Sequence, residues 1–101
     1  MTHLRLHGTA RTQESSRILQ RLCYHFSRKI EVRGDAGERV AQFAWGSCTM
    51  HADGEVLSFL CEAADAEGLA RVRHVIDEHM ALFSRKQPLA VQWQAEAAAP
   101  G

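Results

Sequence analysis

Two segments of this 101-residue chain each carry a single apolar stripe at helical spacing, and the interval between them breaks into short alternating runs. In residues 13–28, which contain neither Gly nor Pro, Ile18, Leu19, Leu22 and Phe26 fall within one arc of about 100°, with Cys23 and His25 at its opposite margins. Thr12 offers an N-cap hydroxyl, and Glu14 suits the positive start of a helix. The second segment follows Asp65, another N-cap residue, with Glu67 in its first turn. It repeats Leu69, Val72, Ile76, Met80 and Phe83 on one side as far as Ser84. A helix with one apolar stripe has to bury it against another layer.

The remaining segments supply that layer. His3 to His7 alternates polar with apolar residues, placing Leu4 and Leu6 on the core side, and Gly8 is expected to end this strand. Ile30 and Val32 alternate with Glu31 and Arg33, and Gly34-Asp35-Ala36-Gly37 turns the chain into residues 39–44 as a hairpin. Trp45-Gly46-Ser47 turns it again. Cys48, Met50 and Ala52 then alternate with Thr49 and His51, and Asp53-Gly54 is a hairpin signal leading to a partner strand over residues 56–62. In that strand Leu57, Phe59 and Cys61 form the more hydrophobic alternate set. After Pro88, Leu89, Val91 and Trp93 define a last strand. The order β-α-β-β-β-β-α-β predicts an α+β two-layer sandwich, a largely antiparallel sheet with both helices on one face. One domain is expected over residues 1–93, with 94–101 a disordered tail.

Composition narrows the function. Twelve Lys+Arg balance twelve Asp+Glu, and 46% of residues are hydrophobic, so the chain is globular and has no general attraction for polyanions. With no stacking series of aromatics either, nucleic acid is not an expected partner. No apolar run approaches the roughly 20 residues of a membrane span, and the first residues lack the apolar stretch of a signal peptide, so a cytoplasmic location is expected. The three cysteines, Cys23, Cys48 and Cys61, include no C-x-x-C pair and are expected to be reduced thiols. There is no G-x-S-x-G, phosphate loop or dinucleotide fingerprint. Trp45-Gly46-Ser47-Cys48 lacks the preceding Cys and following aromatic of papain-like proteases. A non-enzymatic module with no obligatory cofactor is the reading these absences leave.

Six histidines raise the question of a metal. His74 and His79 are five apart, about 140° round a helix, and cannot readily share one ion; His74 should face water and His79 the edge of the apolar stripe. Cys23 and His25 diverge by about 160°. A non-local set remains: His25 and His79 each flank a core stripe, and Cys48 opens a strand on which the same layer rests. If packing brings His25, Cys48 and His79 together, imidazole and thiolate could hold zinc or iron, making the protein a metal or metal-chelate binder. In the purely structural reading the two histidines are half-buried helix-edge residues donating to a carbonyl or carboxylate, and Cys48 packs as a small hydrophobe. On the far side of the first helix Arg17, Arg21 and Arg28 lie within about 40° of one another beside Tyr24. They form either a solvated face or an interaction surface for an acidic partner.

Leu22-Cys23-Tyr24-His25-Phe26 with Lys29, then Gly46-Ser47-Cys48, then Asp77-Glu78-His79 leading through Phe83, Arg85 and Leu89 to Val91-Gln92-Trp93, form an ordered combination. It resembles the bacterial family called domain of unknown function 2218 over about residues 8–94. The family has a second histidine where this chain has Arg28, which removes a ligand pair within the first helix. The resemblance implies a small bacterial domain without an assigned activity, sometimes beside or joined to siderophore-interacting flavin reductases and transport components. It thus implies an accessory role in iron or siderophore metabolism, with a homodimer or such a reductase as the partner.

Overall fold

Alternation along the strands decides which side of the sheet is buried, and it does so consistently in the computed structural model, which describes residues 4–35, 37–83 and 91–95. The elements are β1 (Leu4–Arg11), α1 (Ser15–Ser27), β2 (Glu31–Asp35), β3 (Glu38–Phe43), β4 (Gly46–Asp53), β5 (Val56–Ala63), α2 (Ala66–Phe83) and β6 (Gln92–Ala95). The strands form one antiparallel sheet in the order β2-β3-β4-β5-β1-β6. Ala41, Cys48, Cys61 and Leu6 stand opposite one another in a row across β3, β4, β5 and β1. Met50, Phe59 and Gly8 form the next core-facing row. Onto this face α1 packs over β2 to β5 and α2 over β1, β4 and β5. Ile18, Leu19, Leu22, Cys23 and Phe26 from α1 and Val72, Ile76 and Met80 from α2 join the sheet in one buried cluster. The fold is the two-layer α+β sandwich with both helices on one face.

β1 does not stop at Gly8. Its burial alternates through Leu4, Leu6, Gly8 and Ala10, and the strand continues to Arg11. Gly8 stands opposite Trp93 of β6, and a Cβ there would lie 2.6 Å from two carbons of the indole and 2.7 Å from Val91 Cγ1. The missing side chain provides the floor on which Trp93 rests. The indole N–H donates to Asp77 Oδ1 at 2.8 Å, and the ring lies 6.0 Å from that of Phe59 and 5.8 Å beneath the Arg73 guanidinium. Trp93 therefore pins β6 to α2. The strand extends two residues beyond it, to Ala95. Pro88, Leu89, the Phe83 side chain and residues 96–101 of the expected tail lie outside the described residues.

α1 begins two residues later than its lack of Gly and Pro predicts. The Thr12 hydroxyl accepts the Glu14 N–H at 3.0 Å, and the Thr12 N–H itself donates to the Glu55 carbonyl at 2.8 Å. These bonds hold the approach to the helix against the β4–β5 turn. Ser15 then enters the helix fully buried, its hydroxyl donating to the Gly54 carbonyl at 2.6 Å. That turn has Gly54 at φ 59° and a non-left-handed Glu55, the pattern of a two-residue hairpin with Gly first. α2 starts as predicted: the Asp65 carboxylate accepts the Gly68 N–H at 2.7 Å.

Candidate functional site

Two features of α1 lie outside the core stripe and carry chemistry. On its outer face Tyr24 is 72% exposed, and Arg17, Arg21 and Arg28 lie seven and three residues before it and four after it, hence on one side of the helix. Arg17 is paired with Glu14. Arg21 and Arg28 are exposed and take part in no ion pair among the described residues. Arg17, Gln20, Arg21, Tyr24 and His25 line an open groove of about 460 Å³. Such a surface offers guanidinium, phenol, amide and imidazole groups to one ligand. Its free charge is positive.

The second feature is at the inner margin of the groove. His25 of α1 and His79 of α2 meet with ring centres 4.7 Å apart and planes inclined by 59°. His79 Nδ1 lies 2.7 Å from the Val75 carbonyl, which can only accept, so Nδ1 carries a proton. Partial burial lowers the pKa of His25 below the ordinary histidine value, helped by the neighbouring His79, Lys29 and Arg28. The pair continues an aromatic run. Phe26 lies 4.8 Å from His79, Phe43 5.5 Å from Phe26, and Trp45 stacks on Phe43 at 5.6 Å. The Arg71 guanidinium lies over the Trp45 ring, 5.9 Å from its centre. Phe43 is the member that motif reading missed, although it is in phase with Ala41 on β3 and so aimed at the helices.

Cys48 does not join the histidines. It lies on the core face of β4 with no exposure, its sulfur 3.8 Å from that of Cys61 on the facing position of β5. Among the described residues no three His, Cys, Asp or Glu side chains are grouped to hold a metal ion. The expected set of His25, Cys48 and His79 thus resolves into a histidine pair at the helix margin and a separate thiol in the core. The reason is depth: strand alternation sends Cys48 inward to the middle of the sheet, while both imidazoles stay at the edges of their stripes.

The family model described as "Uncharacterized protein conserved in bacteria (DUF2218)" matches residues 7–94 of this chain. The protein belongs to the DUF2218 family. Its fold is similar to the NMR structure of PA4090 from Pseudomonas aeruginosa, with a TM-score of 0.78 and 25% identity, over 93% of this chain and 99% of that one. No protein of curated function matches it. In this DUF2218 domain Cys23, Cys48 and Cys61 are all free and buried. Burial pushes the Cys48 thiol well up, and the hydrogen bond it shares with Cys61 adds to it; burial also raises Cys23 against the opposing charge of Arg39. Neither is placed to act as a thiolate nucleophile. No helix among the described residues is long and apolar enough to cross a membrane.

Proposed function

We propose that this domain is a non-enzymatic binding module whose α1 outer face docks an acidic protein partner in iron or siderophore metabolism. The observation that carries the reading is Tyr24, 72% exposed in the middle of the Arg17, Arg21 and Arg28 ridge. An aromatic residue that large, standing in water among guanidinium groups, has the composition of an interface core, where Tyr and Arg are enriched. Arg21 and Arg28 favour carboxylates as the complementary groups. The same charges disfavour a twofold homodimer through this face, since an isologous contact would bring each ridge against its copy. The iron context, and a siderophore-interacting flavin reductase as the partner, come from the family resemblance.

Titrating the ¹⁵N-labelled domain with a purified siderophore-interacting flavin reductase tests the reading. Amides of α1 from Arg17 to Arg28 should shift, and added salt should weaken the complex. The Arg21→Glu, Arg28→Glu double variant should lose about tenfold or more in affinity. Shifts confined to the uncovered sheet face, or indifference to charge reversal, would overturn it.

A further inference from the structure

We propose that Cys48 and Cys61 are a latent disulfide, a modification site that low-molecular-weight disulfides close across the β4–β5 hairpin. The two thiols are free and fully buried, on directly facing positions of neighbouring strands, with their sulfurs 3.8 Å apart. The hairpin turn decides which kind of facing pair they make. Only Gly54 and Glu55 separate Asp53 from Val56, so that closing pair must exchange its own N–H and C=O groups. Hydrogen-bonded and non-hydrogen-bonded pairs alternate along an antiparallel ladder. Counting back from Asp53 to Cys48 makes Cys48 and Cys61 a non-hydrogen-bonded pair. Such pairs have Cα atoms about 4.5 Å apart and the closer side chains, inside the roughly 4.4–6.8 Å that a disulfide spans. The strands need not move; rotation of the two side chains brings the sulfurs together. Cys23 sits in the helical layer and shares no ladder position with either thiol.

The oxidant is a small disulfide such as oxidised glutathione, which takes up two electrons. One cysteine thiolate attacks a glutathione sulfur, forming a mixed disulfide and releasing the first glutathione. The second cysteine thiolate then attacks the protein sulfur of that mixed disulfide and releases the other glutathione. The two thiol protons end on the two glutathiones, and one S–S bond has formed for the one broken. Burial keeps both thiols from reacting in the closed domain, so exchange proceeds through openings that lift the helical layer from the sheet. The bond then ties together the hairpin whose turn holds the approach to α1, through Gly54 to Ser15 and Glu55 to Thr12. Cross-linking restricts the unfolded chain, so the oxidised domain resists unfolding better than the reduced one. The pair needs nothing bound to the α1 face and stands apart from the docking reading.

The test equilibrates the whole chain with mixtures of oxidised and reduced glutathione, once in buffer and once in concentrated urea. Samples are quenched in acid, alkylated and mapped by mass spectrometry. Starting from both the reduced and the urea-oxidised chain shows that equilibrium has been reached despite burial. In buffer Cys48 and Cys61 should appear as one linked peptide pair, with Cys23 alkylated. At a given glutathione ratio the closed bond should be favoured about tenfold or more over its value in urea, because the fold holds the two sulfurs together. The urea midpoint of the oxidised domain should lie above that of the reduced one. Cys23→Ala, which leaves only this pair, should reproduce both results; mapping of the wild-type chain carries the test where that variant does not fold. An equilibrium no better in buffer than in urea, a Cys23 disulfide or a glutathione adduct as the main native product, or a urea midpoint that falls on oxidation would each overturn the proposal. Failure of the reductase titration leaves this outcome unaffected, because no protein partner is present.

Discussion

Gly8 and His25 show how single residues act through what lies against them. A methyl group at Gly8 would project into the Trp93 ring, so Gly8→Ala should destabilise the fold by about 1–3 kcal/mol in urea denaturation. If Gly8→Ala matches wild type, Trp93 does not rest there. Read along the chain, Gly8 marks a strand end because glycine weakens strands; its role depends on an indole 85 positions away, which no local pattern reveals. His25 has its folded-state pKa below the ordinary 6.5 because of burial, His79, Lys29 and Arg28. The unfolded chain then binds that proton more readily than the folded one. Its contribution to stability is complete above the unfolded value and is lost as pH falls through the folded one. The urea midpoint should therefore drop between pH 7 and pH 5, and His25→Gln should flatten that part of the profile. An unchanged slope in the variant would show that His25 is not its source.

At the scale of elements, capping and periodicity were the legible signals. Asp65 caps α2 as its sequence indicates, and Asp65→Ala should cost about 1 kcal/mol while Asp65→Asn retains most of it, measured by thermal or urea unfolding. Equal losses in both variants would remove the cap from the account. Leu22, Phe26, Ile76 and Met80, identified from helical spacing alone, are all buried. The start of α1 was less legible. Thr12 has the chemistry of a cap, but its N–H is held by Glu55 and the helix is anchored instead by Ser15 reaching Gly54. Removing that buried hydroxyl in Ser15→Ala should cost about 0.5–1.5 kcal/mol, because its hydrogen bond to the Gly54 carbonyl is lost. Cys48 illustrates the converse difficulty. Alternation correctly sent it inward, yet period carries no depth, so its separation from His25 and His79 had to come from the packing of the layers. The histidines were recognisable as stripe margins; that those margins face each other depends on how closely α1 and α2 approach across the sheet.

For the whole molecule, one core formed by both layers encloses all three thiols. Ellman's reagent should react slowly with the native domain and with three sulfhydryls in denaturant; rapid native labelling of any of them would contradict this enclosure. The sheet order also has a spatial consequence. Leu6 stands opposite Ala95, while α1 lies toward the β2 end of the sheet and β6 forms the other. A polypeptide tether entering ahead of Leu4 or leaving beyond Ala95 would thus use one shared corner, away from the helix that bears Tyr24. Joined to a larger neighbour from either direction, the domain would keep its arginine-bearing side clear to swing toward whatever it engages.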